Sequence, residues 1–242
     1  MKIDLGAQER EFFAKNLPSL EARAFFRSWR RSAGLLDGAW STIRDGKFKV
    51  NGTEHNGASL ITKLRNHLVS LQDGYCCYCR RSLQGIAWAK PIDHVLPKDK
   101  FPRFTFHYRN LAVACYDCNH VKRNSEWSSW NNSQRKYIPA RRCRRFFHPR
   151  YHIYDDHVRY LHISTNGASL SVYFGTTEQG KKLCADLLHK SAARRLAISA
   201  NPRLDAALTK IRNQIDEMEL HADAEHLENF LEALEKFALP GI

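Results

Sequence analysis

The 242-residue chain has no run approaching the roughly 18 consecutive apolar residues that a membrane helix needs, which excludes a helical membrane span. Its first residues, Met1-Lys2-Ile3-Asp4, lack the basic-then-apolar pattern of an export signal. The seven cysteines are therefore expected as thiols or metal thiolates in the cytoplasm, not as disulfides. Internal repeats and low-complexity segments are absent, which excludes a repeat architecture. Acid is scarce: 25 Asp and Glu face 38 Lys and Arg, for a formal charge of +13. That imbalance points to a polyanionic partner. It is also uneven, with sixteen bases against four acids from Arg80 to Arg150 and nine acids against four bases from Asn201 to Ile242. What remains is an ordinary globular composition, 43% hydrophobic and 26% charged, long enough for one large domain or two small ones.

The stretch from Cys76 to Lys122 holds the chemistry. It contains Cys76-Cys77-Tyr78-Cys79, then Asp93-His94, Asn110, Cys115-Tyr116-Asp117-Cys118-Asn119 and Lys122. Two Cys-x-x-Cys pairs can close a tetrahedral zinc site that pins two distant segments together. Cys76, Cys79, Cys115 and Cys118 are the expected ligands of a structural Zn²⁺. Their separation exceeds that of a plain zinc ribbon, so a folded insert is expected between them. Hydrolysis of a phosphodiester needs a deprotonated water, a cation at the phosphate and a grip on the backbone. His94 can act as the base because imidazole titrates near neutral pH. Asp93 and Asn119 offer the hard oxygen ligands that Mg²⁺ prefers. Lys122, on the same helix face as Asn119, is expected to touch a phosphate. Each of these residues alone reads more simply as structural, solvated or a turn; their joint order carries the signal.

That order resembles the HNH nuclease family, whose core is a ββα-metal finger, in the variant with Asn as the third signature residue. The resemblance implies that His94 is the general base, that Asp93 and Asn119 bind one Mg²⁺ or Mn²⁺, and that Asn110 holds the catalytic loop. Leu71-Gln72-Asp73-Gly74-Tyr75, Pro97-Lys98 and Tyr108-Arg109-Asn110-Leu111 further resemble the HNH subunits of Septu-type and retron-linked anti-phage systems. This narrower resemblance implies a defence effector restrained and activated by an ATPase partner. Cys77 stands where the pattern has a small residue, which leaves open whether Cys76 or Cys77 pairs with Cys79.

The expected fold is α+β, a zinc-stapled ββα-metal finger embedded in a mainly helical protein with a β-hairpin. Residues 1–70 read as a helical N-terminal region, 71–150 as the nuclease core with its basic extension, and 151–242 as a hairpin followed by helices. Helices are expected over Leu20 to Ala33 and Ser59 to Gln72, the latter ended by Gly74, with a loop between Gly34 and Gly57 holding a short strand at Lys47 to Val50. In the finger, strands are expected over Ala89 to Val95 and Asn110 to Cys115, then a helix from Cys118 to about Trp127, whose end Trp127 and Trp130 pack. Alternation around Asn166-Gly167 predicts a hairpin, Thr177 caps a helix reaching His189, Pro202 opens another, and Ala224 to Phe237 forms the last. Lys98, with Lys100 and Arg103, lies beside the expected base. With Lys122, Arg123, Arg141, Arg142, Arg144 and Arg145 it is expected to hold the DNA backbone. One such finger cuts one strand, so a single copy should nick. The rival reading is a zinc-stabilised nucleic-acid-binding or adaptor protein without catalysis. A toxin-like nuclease is disfavoured because nothing resembles a delivery domain.

Overall fold

A computed structural model describes residues 4–17, 19–32, 38–84, 90–125, 130–131, 133, 135–164 and 169–217, and of the last segment 226–227, 229–231 and 233–234. The chain begins with α1 (Leu5–Asn16), a helix that composition alone did not single out. Asp4 caps it, accepting from the Gly6 and Ala7 amides at 3.0 Å. α2 (Leu20–Ser32) begins where Ser19 Oγ accepts from the Ala22 amide. The expected loop up to Gly57 holds more structure than one strand: α3 (Ala39–Asp45), then the hairpin of β1 (Lys47–Val50) and β2 (Thr53–Asn56). α4 (Gly57–Leu71) starts two residues before Ser59, because the Asn56 side chain caps it by accepting from the Ser59 amide at 2.9 Å. Gly57 is required there, since a Cβ would lie 1.7 Å from the Ile43 carbonyl oxygen. Asp73 and Gly74, both at positive φ, end the helix and turn the chain into the first cysteine pair.

β3 (Ile92–His94) and β4 (Leu111–Val113) pair antiparallel, with Asp93 opposite Ala112 and His94 opposite Leu111. α5 (Tyr116–Lys122) follows directly. All three are shorter than expected. α5 stops at Lys122 because Arg123 leaves the helix with positive φ; Trp127 lies outside the described residues. Trp130 packs against the cluster of Val95, Leu96, Phe101 and Phe104. The short helix α6 (Tyr154–His157) leads into the hairpin of β5 (Val158–Ser164) and β6 (Ser169–Gly175), whose Asn166-Gly167 turn lies outside the described residues. Thr177 caps α7 (Glu178–Leu183). The chain does not stop at His189: a π-helical turn, Cys184–Leu188, carries it into α8 (His189–Ser199) and then α9 (Pro202–Glu217). Of the expected last helix, Leu231 is buried against Ile198 and Leu208, and positions 224–225, 228, 232 and 235–237 lie outside the described residues.

The result is a mixture of helices and two-stranded sheets around a shared interior. The main buried cluster joins Leu68 of α4, the knuckle cysteines, Leu111 and Val113 of β4, Phe147, Tyr173 of β6, and Leu183 and Leu187. A second cluster joins the segment after His94 to Ile138, Cys143 and Phe146. The β5–β6 hairpin buries little of its outer side: Leu161, Ile163, Leu170, Val172 and Phe174 are exposed, and the register puts Leu161 with Val172 and Ile163 with Leu170 on one face. Among the described residues no helix is long and apolar enough to cross a membrane.

Candidate active site and metal centre

Four buried cysteines, Cys76, Cys79, Cys115 and Cys118, place their sulfur atoms within 4.8 Å of one another. Tetrahedral zinc thiolates have Zn–S bonds near 2.3 Å, hence sulfurs about 3.8 Å apart, and Cys79 and Cys115 stand at 3.7 Å. The cluster is thus positioned to hold a metal ion, and its donor set suits zinc. Cys76, not Cys77, belongs to it. Cys77 instead uses its amide to extend β4, donating to the Val113 carbonyl at 3.0 Å, and burial pushes its thiol up. The knuckle closes through Arg80, whose amide donates to the Cys76 carbonyl while its backbone takes a φ of +59°. A thiolate at Cys79 is favoured by hydrogen bonds from the Cys115, Cys118 and Cys76 thiols, whereas burial holds the Cys76 thiol well up. Four such groups cannot all ionise together without a cation, and a divalent metal removes that conflict. The Cys115 amide also donates to Cys76 Sγ at 3.2 Å.

β3 carries the next two residues, and both are buried. His94 Nε2 lies 3.0 Å from the Thr105 carbonyl oxygen, a pure acceptor, so Nε2 must carry the proton and Nδ1 is left with the lone pair. The ring stands edge-on to Trp40, with centroids 4.9 Å apart. Burial lowers its pKa to about 4, against a smaller upward pull from Asp93, so the imidazole is neutral at physiological pH. Asn110 directly precedes β4 and is fully buried. It accepts from the Leu96 amide at 2.7 Å and donates to the Leu96 and Phe104 carbonyls at 3.0 and 3.1 Å. The loop after His94 is therefore held at both ends by one side chain. Tyr137 donates to Asn110 Oδ1 at 3.0 Å and is itself 2.8 Å from His148 Nε2, so the buried His148 supports the same clamp.

Lys122 is where sequence spacing misled. Instead of facing outward to a phosphate it is 1% exposed, with its ammonium 2.9 Å from Asp93 Oδ1 and 2.7 Å from the His94 carbonyl oxygen. Helical periodicity places Lys122 on a face of α5, but tertiary packing turns that face toward β3. Asp93 is 4% exposed and its other oxygen accepts from the Tyr78 hydroxyl at 2.6 Å. Among the described residues each carboxylate oxygen has one donor and so keeps a lone pair. Asn119, half-buried on α5 next to Cys118, makes no side-chain hydrogen bond among the described residues. Asp93 and Asn119 offer the donor chemistry of a hard cation, with the Lys122 ammonium already beside the carboxylate.

Because both members of the Lys122–Asp93 pair are buried, Lys122→Met strands a carboxylate, and a loss of about 3–5 kcal/mol of stability is expected. Urea denaturation measures it, and the double variant with Asp93→Asn should recover part of the loss. Unfolding of Lys122→Met at the wild-type urea midpoint would show that the pair carries no stability.

The basic residues divide. Lys98, Lys100, Arg103, Arg123, Arg141, Arg142, Arg144 and Arg145 are exposed. Cys143, within the arginine run, and Phe146, directly after it, belong to the buried cluster of Val95 and Leu96, so the four exposed arginines stand on the outside of the segment that follows His94. Arg150 is different, a core residue 5% exposed, over the Tyr108 ring at 5.1 Å and bonded to Gln8 Oε1 at 3.0 Å. Sequence reasoning also missed Tyr78, Thr105, Trp40 and Tyr137. Of these only Tyr78, between the paired cysteines, sat inside a recognised motif.

Septu protein PtuB from Bacillus thuringiensis is 32% identical to this chain over 69 residues, 28% of this chain and 27% of that protein. The match thus spans about a quarter of the relative's length. No family model and no solved structure matches the chain.

Proposed function

We propose that the protein is a metal-dependent endonuclease of the HNH kind that hydrolyses DNA, and that it serves as an effector in Septu-type anti-phage defence. The observation that carries the catalytic part is His94. It is a neutral histidine whose Nε2–H is bonded to a backbone carbonyl, next to a buried carboxylate and on a strand paired with β4, from which the chain passes through Cys115 into α5. Its Nδ1 lone pair takes the proton of an attacking water. The Thr105 carbonyl fixes the ring and stabilises the imidazolium that forms. Asn110 fixes the loop that supplies that carbonyl, and Tyr78 and Lys122 hold the Asp93 carboxylate in place. Magnesium or manganese, held by Asp93 and Asn119, would supply charge stabilisation at the phosphate and the departing oxygen. The defence part is supported by the partial similarity to Septu protein PtuB. An ATPase partner follows from the same reading, and the exposed apolar side of the β5–β6 hairpin offers it a surface to bury.

One observation favours a second reading: the Lys122 ammonium occupies the position beside Asp93 that a catalytic cation needs. On that reading the protein binds nucleic acid without cutting it. Supercoiled plasmid with Mg²⁺ or Mn²⁺ and with EDTA separates the two. Cation-dependent nicked circles are expected, whereas binding without cleavage supports the adaptor.

The exposed arginines give a further expected result. DNA affinity should fall with salt at a log-log slope near 0.9 per neutralised phosphate. Replacing Arg141, Arg142, Arg144 and Arg145 with Ala should weaken binding to all sequences alike and flatten that slope, because phosphate contacts do not specify sequence. An unchanged affinity and slope in a filter-binding salt titration would place the DNA path elsewhere.

A further inference from the structure

A cavity of about 750 Å³ borders the cysteine cluster at Cys79, and none of Asp93, His94 or Lys122 lines it. Its walls come from the knuckle, the β5–β6 hairpin, α8 and α9. Four arginines face it, one or two from each of three walls: Arg80 and Arg81 from the knuckle, Arg195 from α8 and Arg212 from α9. Among the described residues two acids do, Asp117 and Asp205. Asp117 is already neutralised by Arg81 at 3.1 Å, with the buried Arg194 at 4.0 Å. Among the described residues its lining is therefore net positive.

Arg80 is the most telling residue. Its guanidinium lies over the Tyr75 ring at 4.9 Å and near the Tyr154 ring at 5.7 Å, and makes no hydrogen bond among the described residues. Aromatic rings hold its plane, while its N–H donors stay available in the fork geometry that matches a phosphate. Its backbone is in the left-handed region, uncommon for a residue with a side chain, and strain of this kind clusters at ligand sites. The opposite wall is rigid: Arg195 donates to the Tyr173 hydroxyl at 3.1 Å, which donates to the Cys79 carbonyl at 3.2 Å. Tyr160 stacks on Tyr173, with centroids 6.3 Å apart, and His162 pairs with Ser171 at 3.0 Å on the same hairpin face. The cavity thus combines arginines, flat aromatic surface and hydroxyls within a volume in the range of small-molecule sites. A duplex does not fit such a space, whereas one or two nucleotide units do.

We infer that this cavity binds a nucleotide through its phosphates, with Arg80 as a principal phosphate contact and the hairpin tyrosines against the base. The site is separate from the proposed nuclease chemistry and does not depend on it. It adjoins that chemistry physically: Asp117 is in the first turn of α5, which carries Cys118, Asn119 and Lys122, and a phosphate that drew Arg81 from Asp117 would act on that helix.

The test uses the full-length zinc-loaded protein and isothermal titration with ATP, ADP, adenosine and a 5′-phosphorylated single-stranded oligonucleotide. Micromolar binding of ATP or ADP is expected, with adenosine at least tenfold weaker. Arg80→Gly is the informative variant, because glycine accepts a φ of +59° without strain and the fold should be kept. It should weaken ATP binding at least tenfold at an unchanged melting temperature, and Arg81→Ala should weaken it as well. Absence of nucleotide binding below millimolar concentration overturns the inference, as does undiminished binding by Arg80→Gly. Arg80-dependent binding of the oligonucleotide alone would overturn it too, and would assign the cavity to a nucleic-acid strand.

Discussion

Cys115→Ser is expected to leave the protein insoluble or to lower its melting temperature steeply. Cys115 lies two residues beyond the end of β4, is the N-cap residue of α5, and is fully buried. Its sulfur lies 3.7 Å from that of Cys79, and its amide serves the Cys76 sulfur, so the two cysteine pairs meet at this residue. Structural zinc binds with an apparent free energy of about 10–16 kcal/mol, nearly all of it folding free energy when no site exists in the unfolded chain. That is comparable with the whole net stability of a domain, about 5–15 kcal/mol. A serine hydroxyl in place of the thiolate removes much of it. Zinc content and a thermal melt measure the result together. Cys77→Ser makes the contrast, because its thiol stands outside the cluster. A soluble, zinc-free Cys115→Ser variant with a wild-type melting temperature would show that the four thiols hold no structural metal.

How legible this was depends on the length scale of each cause. The cysteine pairs, the Asp-His step and the turn at Gly74 are set by residues a few positions apart, and they could be read directly. The part of Asn110 was available only through resemblance. The structure gives its physical form, three hydrogen bonds to the loop from Leu96 to Phe104 and a fourth from the Tyr137 hydroxyl, and it depends on contacts that no local pattern encodes. Lys122 shows the limit most clearly: its helix was foreseen, but which side of that helix meets β3 is a tertiary fact. Arg150 was counted with the DNA-facing charge and belongs to the core for the same reason. α1 was missed because its buried residues, Leu5 and Phe12, are too few to make a periodic stripe. The cavity draws on segments as far apart as Tyr75 and Arg212, so no motif search could assemble it.

His94→Ala is expected to leave the fold and the zinc in place while removing DNA cleavage. Among the described residues the side chain makes one hydrogen bond, to the Thr105 carbonyl, and packs edge-on to Trp40, so its loss touches no cysteine of the cluster. A general base contributes roughly 10²- to 10⁴-fold to the rate. The loss should appear in the rate at saturating DNA rather than in affinity, because no phosphate contact is assigned to the ring. The most direct measurement is therefore the single-turnover nicking rate of supercoiled plasmid in Mg²⁺ by wild type and His94→Ala, each with its zinc content verified. The account predicts wild-type nicking that EDTA stops and a rate at least a hundredfold lower in His94→Ala at equal zinc and equal DNA affinity. Equal nicking rates in the two proteins, or no cation-dependent nicking by the wild type, would contradict it.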